Sequence, residues 1–443
     1  MLSYTEKFDR IDTQKLISND LYINEYQFFW ENNKSKEVIV GFGAIHSIEI
    51  FDSSDLESIQ SQIEQKLNNI TDISNGPHIL PKFFGGYAFD INSKLYNNWG
   101  KFPRGYFILP KCIITSNQYD TSITLIKKRD DDLNSDIISK EINNIYDSLI
   151  NKPYLRGITN NGISIDDSNN NITKSDYLNI IDQIINEIKI GTIKKVVLSK
   201  SKYLKVKESI NLSNIIEKLR VSYPECINFF IKIPKKGIFF GSTPERLIQK
   251  KGTLVTSEAI AGTIKRGKNI NEDITLEHKL KNDLKNLEEH ELVIQAIEKI
   301  LKPILIDINI SENPEILKLK NVQHLISNIS GILKNNMHIL ELVNIMHPTP
   351  AVAGYPINEA IKLINKYEQH DRGWYSGPIG WVDSIGNGDF CVALRSALIN
   401  KKSIQLFSGG GIVLNSDPDK EWEETELKIQ TILEIIKEDG TDD

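Results

Sequence analysis

Apolar residues recur along this chain at two spacings, and the switches between them mark the elements. In "SSDLESIQSQIEQKL", Ile59, Ile63 and Leu67 stand four apart, which predicts an amphipathic helix with Ser54 and Glu57 as a capping box. Ile180, Ile181, Ile184, Ile185 and Ile188 predict a second helix, capped by Asp176 and stopped at Gly191. A third apolar stripe, Leu280, Leu284, Leu287, Ile294 and Ile297, runs through "KNDLKNLEEHELVIQAIEKIL". It leaves Glu289 about 200° around the helix from Leu287. A fourth helix starts at Pro418, with Ser416 or Asp417 as cap, and buries Ile429, Ile432, Leu433 and Ile436.

Strand-like runs lie between and after these helices: "KKVVLSKSKYLKV", "INFFIKI", "GIFFGST", "DFCVALRSALI" and "SIQLFSGGGIV". Short turns separate many of them where crossover helices would be needed for a parallel sheet. The pattern therefore predicts an α+β protein with mostly antiparallel strands. "PKFFGGYAFD" reads as a Gly-Gly turn where a strand passes close to other backbone. The polar stretch "TNNGISIDDSNNNITKSD" reads as a linker or exposed loop. It divides an N-terminal α+β region, 1–158, from a second region, 174–437, the two expected to fuse into one large unit. No internal repeat of useful period is present.

Composition narrows the function more than the fold. At 443 residues, with 40% hydrophobic and 25% charged positions, the chain is an ordinary globular sequence. No apolar run approaches the roughly 20 residues that span a bilayer, and the N-terminus lacks a basic-then-apolar signal pattern. Cys112, Cys226 and Cys391 are far apart and lack metal spacing, as expected in a reducing cytoplasm. A net charge of −6 argues against nucleic acid as the main partner, yet leaves room for a small anion met by local cations.

Candidate chemistry begins in "SDPDKEWEETELKIQ", where Glu421, Glu424 and Lys428 share one helix stripe, separate from the apolar one. Carboxylates one turn apart suit a hard, oxygen-seeking cation such as Mg²⁺. Glu289 and its neighbour His290 form a second cluster. "FFGSTPERL" offers Glu245 at the exit of a strand, and "SEAIAGTIKRG" is a small-residue turn containing Gly262 and Thr263. "LFSGGGIV", with Gly409 and Gly411, permits close backbone approach but is no nucleotide loop. Taken singly, each of these reads as a solvated face or tight packing.

Taken together and in order, the motifs resemble the chorismate-utilising enzyme family. "KKVVLSK", "GSTPERL", "AIAGT", "EEHEL", "VQHL", "MHPTPAVAGYP", "DRGWYSGPIGW", "FCVALRSA", "GGGIV" and "EWEETELK" cover about residues 174–437, with "FFGGYAFD" a weaker likeness before them. The resemblance implies large antiparallel sheets packed as a sandwich with helices outside. Within the family it most closely indicates isochorismate synthesis: water adds at C2 of chorismate, the C4 hydroxyl leaves and the ring double bonds shift. This needs a base and an acid and no redox cofactor. The resemblance puts the base at Lys195, with Lys194 the rival by adjacency, and the acid at Glu245. Strand alternation sends the two lysines to opposite faces. Lys195 must be partly neutral to work, and Glu245 must hold a proton near neutral pH.

By the same resemblance, Mg²⁺ sits between Glu289 and Glu424 with Glu421 as a water-mediated neighbour, and Arg395 grips the enolpyruvyl carboxylate. Tyr375, Gly409, Gly411, Gly262, Thr263 and Ala351 line the pocket, Lys428 lies beside the metal, and His324 lies on the C4 side or is structural. Asn286 stands where some relatives have an acid, Glu288 is an extra acid, and Glu426 replaces a small residue. Anthranilate synthases usually carry Gln at the position of Lys195, and aminodeoxychorismate synthases carry Lys at that of Ala261. Ala351 sets the chain apart from salicylate synthases, the alternative that goes on to eliminate pyruvate. A non-catalytic chorismate-binding subunit is the reading from another class. The implied partners are chorismate alone, with no nucleic acid, no membrane and no obligatory protein, in a cytoplasmic monomer. The product would feed menaquinone, phylloquinone or siderophore synthesis.

Overall fold

Strands with apolar residues on consecutive positions need cover on both faces, and the fold supplies it. The computed structural model describes residues 1–17, 24–74, 76, 79–93, 99–129, 134–151, 165–206 and 210–437. Among them a thirteen-stranded and a ten-stranded sheet form. In the larger, Lys195–Val206 is followed across the sheet by Ser403–Val413, Ser396–Asn400, Gly237–Thr243 and Ile227–Ile233. The N-terminal strands continue from there, beginning with Gln27–Asn32. The smaller runs through Val322–Leu333, Leu254–Lys265, Arg246–Lys251, Gly388–Val392 and Pro378–Asp383 into Lys82–Tyr87. Phe229 lies opposite Trp30, and Trp381 opposite Phe84, so both sheets join early and late parts of the chain. Pairing is antiparallel except for the short contact of Leu2–Asp9 with Thr71–Asp72.

Alternation along the strands decides what packs where. Phe28, Trp30, Phe229, Ile231 and Phe239 belong to the core that includes the smaller sheet, where Phe28 meets Phe84 at 4.5 Å between ring centres. Phe29, Phe230 and Phe240 point the other way, into a core shared with helices Ser135–Asn151, Leu212–Ser222 and Pro418–Ile436. The expected sandwich with outer helices is thus the architecture found. Each fully buried Phe contributes about 2–3 kcal/mol to it.

The structure revises several local expectations. The first helix is capped by Asp52, whose carboxylate accepts from the Ser54 and Asp55 amides at 2.9 and 3.2 Å, so Ser54 is inside the helix. Thr173 caps Lys174–Lys189, and Asp176 sits in its first turn. The third stripe is two helices, Ile270–Asn282 and Leu284–Leu301, because Asp283 takes the Asn286 amide and starts a new one. Leu284 is consequently exposed, and the buried stripe becomes His290, Val293, Ala296, Ile297 and Leu301. Within the expected linker, Ile165–Asn170 pairs as an edge strand with Lys195–Val206, while residues 159–164 lie outside the described residues.

Gly85 and Gly86 lie within a strand and make no turn. A Cβ on Gly85 would stand 2.0 Å from the Tyr106 carbonyl oxygen, so the expected close backbone approach is present. "AIAGT" is likewise strand, bulged at Gly262 with φ +77°, and the three glycines of "SGGGIV" also lie within a strand. "DFCVALRSALI" is two strands, Gly388–Val392 in the smaller sheet and Ser396–Asn400 in the larger.

Candidate active site

That last break positions the chemistry. Gly237–Thr243 belongs to the larger sheet and Arg246–Lys251 to the smaller, so the chain crosses between sheets at Pro244 and Glu245. Beside it, the segment between Gly388–Val392 and Ser396–Asn400 crosses back through Arg395. The two corners are tied together. Val392 N donates to Glu245 O at 3.1 Å, and Ser242 N donates to Arg395 O at 3.2 Å. Arg395 adopts φ +44°, a strained conformation for a side chain of its size, held by this corner.

Both corners open on one hollow. Lys195, Glu245, Gly262, Thr263, Glu289, His324, Ala351, Tyr375, Arg395, Gly409, Gly411, Glu424 and Lys428 all line it. The structure therefore brings together every expected site residue except Glu421, which lines an adjoining cavity with Glu289 and Glu424. Lys194 is exposed on a wider apolar groove of about 790 Å³ on another flank of Leu284–Leu301, so adjacency does not make it a rival here. That groove is larger but lacks Glu245, Arg395 and Lys195.

Glu245 is 3% exposed, and burial pushes its carboxyl up to about 8, against the pull of Lys195. It is thus an acid holding its proton at neutral pH. Lys195, 1% exposed, reaches Glu289 with Nζ 2.9 Å from Oε1. Burial alone would raise Glu289, but Lys195, Lys285 and Lys428 bring its carboxyl below the ordinary range. Gly411 makes this contact possible, since a Cβ there would lie 2.6 Å from the Glu289 oxygen. Lys428 Nζ binds Glu424 at 2.7 Å and donates to the Gly409 carbonyl at 2.9 Å. Tyr375 stacks on Phe407 at 5.4 Å.

Arg395 is 7% exposed, and among the described residues no carboxylate pairs with it. Its Nη2 instead donates to His324 Nε2 at 2.8 Å. Arginine can only donate, so the imidazole proton is on Nδ1, which faces Thr263 Oγ1 at 3.1 Å and Gly262 O at 3.3 Å. Burial, and then Arg395, hold His324 well below its usual range, so it remains a neutral acceptor. A buried, uncompensated guanidinium on a hollow wall is a site for an anion.

Among the described residues no three His, Cys, Asp or Glu side chains are arranged to enclose a metal. Each acid is held by a lysine: Glu289 by Lys195, Glu424 by Lys428, and Glu421 by Lys285 at 2.7 Å. Yet Glu421 is raised by burial and by the charge of Glu424, a crowding that a cation relieves. Hard oxygen donors from two helices on one cavity wall fit Mg²⁺, which needs few protein ligands besides water and substrate.

Several supporting residues escaped sequence reasoning. Arg372 donates to the Val197 and Val352 carbonyls, both at 2.7 Å, and forms a two-pronged pair with Glu368, which accepts from Ser199 N at 2.7 Å. This buried clamp joins the Lys195 strand to the Ala351 loop, and Phe89 of "FFGGYAFD" covers the guanidinium at 4.3 Å. Arg372 and Phe89 lie inside motifs, which was their only signal, and Glu368 lies outside them all. Asn286, at the position where some relatives have an acid, accepts from Thr263 N at 3.0 Å and fixes the bulge, while Glu288 lines the wider groove. Glu426 pairs with the buried Lys200, whose Nζ lies 3.2 Å from the centre of the Trp422 ring.

Comparison with known proteins sets this geometry in a family. The family model for chorismate binding enzymes matches residues 1–437, and the chain belongs to that family. It is 29% identical to the isochorismate synthase MenF of Bacillus subtilis over 98% of this chain and 93% of the relative. It is 38% identical to the salicylate biosynthesis isochorismate synthase of Pseudomonas aeruginosa over 58% of this chain and 53% of that one. The menaquinone-specific isochorismate synthase MenF of Escherichia coli has the same fold, with a TM-score of 0.79 and 24% identity over 98% of this chain and 95% of that one.

Proposed function

We propose that this protein is an isochorismate synthase that converts chorismate to isochorismate. The observation that carries the reading is the pairing, in one buried hollow, of an amine at Lys195 with a carboxylic acid at Glu245 that keeps its proton at neutral pH. Lys195, in its neutral form, takes a proton from the water that adds at C2, and Glu245 gives one to the C4 hydroxyl, which leaves as water while the double bonds shift. Proton exchange with solvent resets both groups. Arg395, oriented by His324, receives the enolpyruvyl carboxylate. Glu289 and Glu424 would hold Mg²⁺ with Glu421 beside them. Bound there, Mg²⁺ would supply positive charge for the ring carboxylate and compete with Lys195 for Glu289.

Incubation with chorismate and Mg²⁺, with products separated by chromatography, tests this. Isochorismate is the expected product. Salicylate plus pyruvate would establish the lyase alternative instead, and unchanged chorismate would leave a binding subunit. Lys195→Ala should abolish turnover in a folded protein, and full activity in it would refute the role of base.

The same reading covers setting and organisation. Regions 1–158 and 174–437 form one unit, a view supported by the Phe229–Trp30 and Trp381–Phe84 pairings. Three buried free cysteines support a cytoplasmic setting. The same reading takes the protein as a monomer without an obligatory partner.

A further inference from the structure

The hollow has a neighbour that gives it a mouth. Thr263, Glu289, Gly411 and Glu424 form a wall common to the hollow and to a second cavity of about 270 Å³. That cavity lies between the starts of helices Leu284–Leu301 and Pro418–Ile436. Three of its five acids are already compensated by lysines. Glu289, Glu421 and Glu424 are paired with lysines, and Asp283 and Asp417 cap the two helices, accepting from the Asn286 and Lys420 amides. Lys279 and Lys420 also line the cavity, are exposed, and among the described residues pair with no carboxylate. These two lysines offset the charges of Asp283 and Asp417 and keep the opening from being net negative, on a chain whose net charge of −6 would repel a dianion.

We propose that chorismate enters through this cavity and that Lys279 and Lys420 steer it, raising its local concentration at the mouth without touching it during the reaction. The inference rests on the proposed function, because a dianionic substrate is what these charges would attract. The test is the double variant K279Q/K420Q, compared with the unmodified enzyme and with K205Q/K402Q. The control removes the same total charge from exposed lysines near the far end of the Lys195 strand. Lys205 lies ten residues along that strand, about 33 Å from Lys195.

At saturating Mg²⁺ and about 20 mM ionic strength, the mouth variant should raise KM for chorismate about five- to tenfold, with kcat within twofold of the original. At about 0.5 M salt the difference should shrink below twofold, because exposed charges are then screened. The control pair should stay within twofold throughout. An unchanged KM, an equal change in the control, or a rise that persists in high salt would each overturn the steering role. An unmodified enzyme that leaves chorismate unchanged would overturn the reaction and this inference with it.

Discussion

Glutamine at position 245 would keep the shape of the side chain while removing the proton it can give. Glu245 is buried at the corner between the sheets, and its carboxyl titrates near about 8 against an ordinary value of 4.5. At pH 7 about nine in ten molecules therefore carry the acid form. The native state binds this proton more tightly than the unfolded chain does. The contribution to stability is thus complete below pH 4.5 and is lost as pH rises through about 8. At about 1.4 kcal/mol per pH unit, the full loss is on the order of 5 kcal/mol. With about 2 cal/mol/K of unfolding entropy per residue over 443 residues, that is about 5 °C in Tm.

Glu245→Gln escapes this penalty and loses the acid. Its turnover should fall by about 10²–10⁴-fold, and its Tm should exceed the unmodified protein's by several degrees at pH 9, the gap narrowing towards pH 5. Chromatographic rates between pH 6 and 10 should show the unmodified enzyme's kcat/KM declining above about pH 8. Calorimetry supplies the Tm values. A variant within tenfold of full activity, or Tm curves that run parallel between pH 5 and 9, would refute both the role and the burial argument behind it.

Glu424→Gln should raise the Mg²⁺ concentration needed for half-maximal activity at least tenfold, read from a Mg²⁺ titration, and a chelator should stop the unmodified enzyme reversibly. Arg395→Met should raise KM for chorismate about a hundredfold while leaving Tm equal or higher, since it removes a buried charge that no carboxylate offsets. Arg372→Met strands Glu368 in the core and should cost about 3–5 kcal/mol, measured by denaturant unfolding, with Arg372→Met/Glu368→Gln recovering part of it.

What the sequence could show depended on how far a signal travels along the chain. Strands buried on both faces, such as Ile227–Ile233 and Gly237–Thr243, were legible to the residue because their apolar runs end at turn residues. Helix starts were less so. Asp52 and Thr173 outcompeted the expected caps Ser54 and Asp176, since neighbouring Ser, Thr and Asp residues can all accept the same first-turn amides, and Asp283 started a helix where one continuous stripe was expected. The corner at Arg395 looked like unbroken strand, because Ala393 and Leu394 are apolar and the change of sheet is a tertiary event. The site residues came from ordered motifs, which fix identity but not company. That Glu289 meets Lys195, or that His324 supports Arg395, appears only once strands nearly two hundred residues apart are side by side.

This arrangement also explains how an acidic chain can receive a dianion. A sandwich with two adjacent crossings leaves a gap at its corner that neither sheet fills, and the residues of the crossings face into it. Charges exposed there would be costly if uncompensated, and most are cancelled in pairs: Lys195 by Glu289, Lys428 by Glu424. Glu245 avoids the cost by staying protonated. Arg395 alone on that wall has neither a carboxylate nor a means of losing its charge, and its neutral histidine partner directs the guanidinium without neutralising it. The hollow is therefore preset, before any ligand arrives, to gain most from an incoming carboxylate at one defined point. On the proposed function, a substrate fixed there by one end would bring its ring to Lys195 and Glu245 at little further entropic cost.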